Sequence, residues 1–254
     1  MSDRRGQLRD AYVEARGYWD DSLDALLDAD PDFFETFLEL AAVPFRNGHL
    51  EPKVRQFVLI AVDAAATHLD GSGLRLHIRR ALELGATRDE LVEVLQLTST
   101  LGIHASTVGV PILLEVLDEA ARRQGPKPLN ERQQQIKADF EAKRGYWNAF
   151  WDGFLELDPD FFEAYVDFSS VPWTSGVLEP KVKELIYSAF DASATHMYQP
   201  GLRQHLANAV AYGATAGEIM EVFELASTLW IKACTLGLPI LADELERAAS
   251  KDGV

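Results

Sequence analysis

The sequence is poor in cysteine and in positive charge, and each shortage excludes classes of function. Cys234 is the only cysteine, so the chain can form no internal disulfide and cannot support chemistry that needs two of its own thiols. Lys and Arg together number 24 against 40 Asp and Glu, which gives a formal net charge of −16. A field of that sign repels phosphate backbones and anionic lipid surfaces, so we expect no nucleic-acid partner and no membrane partner.

Long apolar runs are missing as well. No stretch approaches the roughly 20 apolar residues of a membrane span, and residues 1–10 (MSDRRGQLRD) lack the apolar segment of a signal peptide. We therefore expect a cytoplasmic location. The remaining composition, 47% hydrophobic and 25% charged over 254 residues, is ordinary for a globular protein that is long enough for two folded units.

Motifs of common cofactor sites are also absent. The sequence contains no H-E-x-x-H, no cluster of Cys and His, no glycine-rich phosphate loop and no G-x-S-x-G. We therefore expect no cofactor and no metal ion. A metal-dependent enzyme is kept as a third hypothesis, which elemental analysis of the purified protein would test.

One pattern occurs twice in the chain, with an offset of 128 residues. Residues 51–77 read EPKVRQFVLIAVDAAATHLDGSGLRLH, and residues 179–205 read EPKVKELIYSAFDASATHMYQPGLRQH. The strings RGYW and DPDFFE recur at the same offset. Ungapped similarity of this length indicates a duplication, so we predict a first repeat over 1–123, a linker over 124–131 and a second repeat over 132–254.

The apolar pattern of both halves is helical. Apolar residues recur every three to four positions, and neither half shows the alternation of a strand, which predicts an all-α fold of two equivalent units. We predict one helix from about residue 4 to 29, and another that starts at Asp30-Pro31 and is broken by Pro44 and Asn47-Gly48. A helix over about 51–67 then follows that is apolar on most sides, as expected for the centre of a bundle.

Polar side chains form a stripe along this central helix in each copy, because residues three and four apart share a helical face. Such a stripe on an otherwise apolar helix faces either water or a pocket. The second copy has a carboxylate where the first has an amide, which cannot titrate. The stripe comprises Glu184, Ser188, Asp191 and Thr195 in the second copy and Gln56, Ile60, Asp63 and Thr67 in the first.

Four of the six histidines stand at matched positions. His68 and His196 end the string D-A-x-A-T-H, and His77 and His205 follow nine residues later on the next helix. Histidine can gain or lose a proton near neutral pH, and a carboxylate nearby would orient it and raise its basicity. We therefore predict acid–base chemistry here, while buried hydrogen-bonding groups with a purely structural role are the alternative.

Basic side chains near these histidines are candidate ligands for an anionic substrate. Arg75 and Arg203 each precede a helical histidine by two residues and could clamp a carboxylate. Residues two apart face different sides of a helix, so pairing at an interface is the alternative. His104 and Lys232 match each other at a helix start and could also meet a ligand, or could lie at the surface. The predicted substrate-binding residues are Arg203, Arg75, Lys232, His104, Asp191 and Asp63.

The helical histidine lies within a longer pattern. The second copy has KVKELI over residues 181–186, then His205, then GATAGEIMEV over residues 213–222, and the first copy has a similar series around His77. These motifs resemble the carboxymuconolactone decarboxylase family, which shares the all-helical fold of the alkylhydroperoxidase D-like proteins. The resemblance covers most of each repeat apart from the RGYW and DPDFFE segments. It implies two tandem alkylhydroperoxidase D-like repeats related by pseudo-twofold symmetry.

The chain departs from the peroxidase branch of that family. This branch carries C-x-x-C shortly before the histidine, whereas the chain reads DGSGLRLH and QPGLRQH there, which excludes thiol-based peroxide reduction. The glutamate that relays protons in that branch corresponds to Glu184 in the second repeat and to Gln56 in the first. We therefore expect Glu184 and His205 to form the competent relay. The other histidines predicted to orient or donate are His77, His196 and His68.

Resemblance to the decarboxylase branch implies a cofactor-free lyase, decarboxylase or isomerase. It would act on a small carboxylated or lactone-type compound by acid–base chemistry of His and Glu. The alternative is a non-catalytic helical binding or assembly protein that lost the thiols. Single-repeat relatives form hexamers, or trimers in the peroxidase branch, so two fused repeats imply a homotrimer with six repeats in a ring.

Overall fold

The structure is a computed structural model that describes residues 2–252, and these residues form helices and connecting turns with no β-strand among them. The all-α prediction is confirmed, and the same order of helices occurs twice. The first repeat comprises α1 (Ser2–Arg16), α2 (Asp24–Ala29), α3 (Pro31–Asn47), α4 (Pro52–Ala64), α5 (Gly71–Glu83), α6 (Arg88–Ser99) and α7 (His104–Glu119). The second comprises α8 (Glu131–Arg144), α9 (Asp152–Leu157), α10 (Pro159–Thr174), α11 (Pro180–Ala192), α12 (Gln199–Ala211), α13 (Ala216–Thr228) and α14 (Lys232–Asp252).

The first helices differ from the prediction in two places. The single helix expected from about residue 4 to 29 is wrong, because α1 ends at Arg16 and Gly17 takes a left-handed φ of +80° that residues with a Cβ rarely adopt. The expected break at Pro44 is also wrong, because α3 continues to Asn47 and ends before the left-handed Gly48. A proline removes one backbone donor from a helix, and the burial of Pro44 in the core offsets that loss.

Helices α4 and α11 form the centre of the molecule and pack against each other. Residues 54–63 of α4 and residues 183–191 of α11 are buried without interruption. Both helices belong to one hydrophobic cluster that draws on both repeats, and each repeat adds a smaller, aromatic-rich cluster around its own first helices. The repeats therefore share their main core. The proposed boundaries between them stay a prediction.

The two repeats are related by a pseudo-twofold axis. Thr67 and Thr195 are equivalent by the offset of 128, and their Oγ1 atoms lie 3.2 Å apart. A residue that meets its own equivalent lies close to the axis that relates the two copies. The ends of the two central helices therefore meet at this axis.

Two buried ion pairs cross from one repeat to the other. Arg55 Nε donates to Glu221 Oε1 at 2.5 Å, and at the equivalent place Lys183 Nζ lies 2.9 Å from Glu93 Oε1. The second oxygen of each glutamate accepts two backbone N–H groups just before the central helix of the other repeat. All four charges are paired in the interior, so the loss of one partner of either pair would leave a buried charge uncompensated.

Helices α7 and α14 carry apolar side chains that remain exposed. Val108 and Ile112 on α7 correspond by the offset of 128 to Leu236 and Ile240 on α14, and all four are about half exposed or more. The stretches Arg88–Glu119 and Ala216–Ser250 are also long and apolar enough to meet a length-and-composition criterion for membrane spans, which core helices of soluble proteins meet as well.

Candidate functional site

Glu184 and His205 meet in the interior of the second repeat. Glu184 lies on the central helix α11, His205 lies on α12, and Glu184 Oε2 is 2.6 Å from His205 Nδ1. Asn208 donates to the other carboxylate oxygen at 3.0 Å, and the ring of Tyr187 stacks on the imidazole with centroids 4.4 Å apart. An ionised carboxylate can only accept hydrogen bonds, so Nδ1 donates to it and Nε2 is the nitrogen that can exchange a proton.

His205 lines a small cavity of about 20 Å³, which holds about one water molecule. Nearly half of the lining residues are phenylalanine, tyrosine or tryptophan, and a guanidinium and two imidazoles are the basic groups of the wall. A substrate of several carbon atoms therefore needs some of these side chains to move. The wall includes Arg144, Tyr146, Tyr165, Tyr187, His104 and His205.

Arg144 is a buried cation in this wall that sequence reasoning did not single out. Its guanidinium lies over the rings of Tyr187 and Tyr146, at 5.6 and 5.8 Å from their centroids. Burial opposes the charge and lowers the pKa of Arg144, but Tyr187, the other tyrosines around it and Glu184 together raise that pKa above its usual range. The side chain therefore stays charged inside the cavity wall.

The hydrogen-bonding capacity of Arg144 is incompletely used. Nη1 reaches the backbone oxygen of Ser169 at 3.5 Å, and Nε has no hydrogen-bond partner among the described residues. A buried guanidinium with unused donors is suited to bind a carboxylate. The recurrence of RGYW at 16–19 and 144–147 was the signal in the sequence that could have identified it.

A second polar group lies at the end of α11. Asp191 is fully buried, and neither of its carboxylate oxygens accepts a hydrogen bond from the residues that the structure describes. His104, at the start of α7, places Nδ1 3.8 Å from Asp191 Oδ1 and contacts His196 Nε2. Burial, and then the charge of Glu184, raises the pKa of Asp191 to about 8. Burial, and then His196 and His205, lowers the pKa of His104 to about 3.

An ammonium group lies beside the equivalent buried aspartate of the first repeat, Asp63. Lys232, the residue equivalent to His104, pairs with Oδ1 of the buried Asp63 and lies 2.6 Å from Asp70 Oδ2. Burial raises the pKa of Asp63 to about 6, although the charge of Lys232 opposes this shift. The two repeats therefore share a buried aspartate, and a fixed cation from α14 neutralises the one in the first repeat.

The histidine of the first repeat has an amide partner. His77 Nδ1 lies 2.9 Å from Gln56 Oε1, and His77 Nε2 lies 3.8 Å from Asp63 Oδ2. Burial, and then the charges of Arg16 and Lys232, lowers the pKa of His77 well below its usual range. Because neither His77 nor Gln56 carries a charge at neutral pH, this pair is poorly suited to proton transfer.

The remaining predicted residues separate into two groups. His68 joins the first-repeat cluster, with Nε2 3.6 Å from Asp63 Oδ1 and its ring 5.1 Å from the ring of Trp230. Arg75 and Arg203 lie on exposed faces of α5 and α12 and are not among the residues that line the cavity. Their role as carboxylate ligands stays a prediction, and Arg144 lies where such a ligand was expected.

Asp191 also lines a larger pocket of about 420 Å³. The wall of this pocket is mostly apolar and includes Met197, Phe223 and Trp230. Met197 and its equivalent Leu69 have left-handed φ angles of 50° and 49°, a conformation uncommon for residues with long side chains. A pocket of this size and polarity is typical of sites for small organic molecules.

Comparisons with known proteins agree with the duplication. The sequence model of the carboxymuconolactone decarboxylase family matches residues 31–121 and 159–230, which fall in the two repeats. The chain is also similar to a crystal structure from Burkholderia xenovorans LB400 of a protein provisionally described as a gamma-carboxymuconolactone decarboxylase subunit. The two chains are 54% identical with a TM-score of 0.92, over 96% of this chain and 98% of the other. A comparison with curated protein sequences finds no match.

Proposed function

The chain belongs to the carboxymuconolactone decarboxylase family, as two tandem alkylhydroperoxidase D-like repeats, and from that membership we propose that it is a decarboxylase-type lyase. The substrate would be a small carboxylated or lactone-type compound, and Glu184 and His205 would carry out the acid–base chemistry. The observation that carries this proposal is the buried hydrogen bond of 2.6 Å between the two side chains beside the cavity.

Decarboxylation needs a place for the electrons of the broken bond and a proton for the carbon left behind. In the proposed reaction, the bond to the carboxyl carbon breaks, its electron pair moves into the conjugated carbonyl system of the substrate, and CO2 leaves. The protonated form of His205 then donates its Nε2 proton to the carbon and regains a proton from solvent. Glu184 accepts the Nδ1 hydrogen bond throughout and stabilises the imidazolium.

Arg144 is the group that supports binding of an anionic substrate. Its charge lies in the wall of the cavity that His205 lines, and Nε has no hydrogen-bond partner among the described residues. In a site with little water, a guanidinium attracts a carboxylate or a developing enolate more strongly than it does at the surface. We therefore assign substrate orientation to Arg144.

The reaction is tested with gamma-carboxymuconolactone as substrate, by following CO2 release and by NMR detection of deuterium at the protonated carbon in D2O. We expect turnover by the wild type and a loss of about 10²–10⁴-fold in kcat for His205→Gln. Circular dichroism would check that the variant is folded. Absence of CO2 release by the folded wild type with this lactone and with related carboxylated lactones would contradict the proposal.

The first repeat differs in ways that favour a structural role. Its histidine pairs with Gln56, and Lys232 already neutralises its buried aspartate. We propose that catalysis resides in the second repeat and that the first repeat completes the common core. Under this proposal the alternative hypothesis of a non-catalytic helical protein applies to the first repeat alone.

We also propose that the chain assembles as a homotrimer. The exposed apolar faces of α7 and α14 are equivalent in the two repeats, so α7 of one chain could pack against α14 of the next and close a ring of six repeats. Contacts between chains would remove these apolar side chains from water, which favours assembly.

A further inference from the structure

The second repeat keeps a buried carboxylate but not the ammonium group that neutralises its counterpart in the first repeat. Asp63 is paired with Lys232, whereas the equivalent Asp191 faces His104. A carboxylate in the interior is strongly unfavourable unless a positive charge or hydrogen-bond donors compensate it. We propose that the chain binds one divalent transition-metal ion beside Asp191, between His104 of the first repeat and Asp191 and His196 of the second.

The three side chains converge on one point from three segments of the chain. His104 begins α7, Asp191 lies near the end of α11, and His196 lies in the turn that follows α11. One nitrogen or oxygen atom from each residue lies within 4.8 Å of the atoms from the other two. Metal bonds of about 2.0–2.2 Å to imidazole nitrogen and carboxylate oxygen hold ligand atoms roughly 3–3.5 Å apart. The ring nitrogens of His104 and His196, which contact each other directly, would move apart slightly around an ion.

The carboxylate supplies an observation that is independent of this clustering. Asp191 is fully buried, and neither Oδ1 nor Oδ2 accepts a hydrogen bond from the described residues. Oδ1 instead points towards the imidazole nitrogens, at 3.8 Å from His104 Nδ1. An ion between these groups would compensate the carboxylate and would use the lone pairs of both imidazoles.

The first repeat shows that this location accommodates a cation. Lys232 Nζ contacts Asp63 there and lies 2.6 Å from Asp70 Oδ2. The backbone of the following helix leaves room for it, since a Cβ at Gly73 would come within 2.4 Å of Lys232 Nζ. The second repeat has the equivalent glycine, Gly201, where a Cβ would come within 2.4 Å of Asp191 Oδ2. A Cβ there would also come within 2.5 Å of the ring of Tyr198, which lies where the first repeat has Asp70. Both repeats therefore keep a glycine against the buried carboxylate, and in the second repeat Tyr198 fills part of the space beside it.

The ligand set indicates which ions fit. Two imidazoles and one carboxylate suit Zn²⁺, Co²⁺, Fe²⁺ or Ni²⁺ better than Ca²⁺ or Mg²⁺, which prefer oxygen ligands. Three protein ligands leave at least one coordination position open, as in catalytic zinc sites. His104 also lines the cavity that contains His205. The proposal departs from the metal-free site expected from the sequence, and it does not depend on the decarboxylase reaction.

The test is Zn²⁺ binding by the full-length chain, freed of any affinity tag and stripped with a chelator. We expect isothermal titration and elemental analysis to give one Zn²⁺ per chain, and bound Co²⁺ to give a visible absorption spectrum. Asp191→Asn should weaken Zn²⁺ binding at least 100-fold. His49→Gln, which alters a histidine outside the cluster, should leave Zn²⁺ binding unchanged.

Exchange of the equivalent residues provides a second readout. His104→Lys gives Asp191 the kind of ammonium partner that Asp63 has in Lys232, so we expect it to abolish Zn²⁺ binding while the chain still folds, as judged by circular dichroism. Lys232→His gives the first repeat a second imidazole beside Asp63 and His68, so the Zn²⁺ stoichiometry should rise to two. The proposal is wrong if the folded wild type binds no Zn²⁺ at micromolar concentration, or if His104→Lys and Asp191→Asn bind it as tightly as the wild type.

Discussion

Glu184 Oε2 accepts a hydrogen bond from His205 Nδ1 at 2.6 Å, and this contact joins the central helix of the second repeat to the helix that follows it. The equivalent contact in the first repeat joins Gln56 to His77 at 2.9 Å. The two pairs have nearly the same geometry, but only the second contains a carboxylate. A duplicated scaffold thus holds one pair that can stabilise an imidazolium and one that cannot.

Glu184→Gln should convert the second pair into a copy of the first. The amide oxygen can still accept the Nδ1 hydrogen bond, but it brings no negative charge to stabilise the imidazolium. We expect kcat for CO2 release to fall about 10–100-fold, as is typical when the hydrogen-bond partner that orients a metal-binding histidine is removed, with little change in KM. Gln56→Glu is the matched control and should not lower kcat. Full activity of the folded Glu184→Gln variant would show that the carboxylate is structural.

The cross-repeat ion pairs should contribute strongly to stability. Glu221→Gln leaves the buried charge of Arg55 uncompensated, which costs about 3–5 kcal/mol of unfolding free energy. Glu93→Gln should have a similar effect through Lys183. Chemical denaturation measures both losses, and Glu39→Gln, which removes an exposed partner of Arg46 at 3.2 Å, should change the free energy by less than about 0.5 kcal/mol. Equal effects of buried and exposed substitutions would contradict this interpretation.

His77 should make the protein less stable in mild acid. Burial, and then Arg16 and Lys232, holds its folded-state pKa well below that of an exposed histidine, about 6.5. The unfolded chain therefore binds a proton that the folded chain does not. The contribution to stability is complete above about pH 6.5 and is lost as the pH falls below it, at up to about 1.4 kcal/mol per pH unit.

The measurement is urea unfolding at pH 7.5 and pH 5.5. His77→Gln should reduce the difference between the two free energies of unfolding, because glutamine does not titrate. His49→Gln alters an exposed histidine and should leave that difference as in the wild type. If His77→Gln loses as much stability in acid as the wild type does, other groups cause the acid sensitivity.

The sequence was informative where function depends on local pattern. Helical spacing put Glu184 on a polar stripe of a buried helix, and duplication marked His205. The resemblance to the family then implied that the two act as a pair, before any contact was known. Pairing between distant segments was not predictable in this way. Lys232 and His104 were recognised as equivalent, but nothing in their local sequence shows that each reaches the aspartate of the other repeat.

The arginines show a second limit of sequence reasoning. Arg75 and Arg203 were chosen because they lie near the histidines along the chain, but their helices turn them outward. Arg144 lies 61 positions before His205 and reaches the cavity because α8 packs on α10 within the same repeat. Which face of a helix turns inward, and which distant helix packs there, depends on tertiary contacts that a single repeat motif does not specify.

Assembly through α7 and α14 gives the last prediction. If their exposed apolar faces meet in a closed ring, light scattering after size-exclusion chromatography should give about 85 kDa, three chains of 28.2 kDa each. Ile240→Glu places a charge in that contact and should dissociate the ring into single chains, because burying an unpaired carboxylate is strongly unfavourable. Leu82→Glu, at a similarly exposed apolar residue on α5, should leave the mass unchanged. A wild-type mass of about 28 kDa, that of a single chain, at micromolar concentration would contradict the proposed ring.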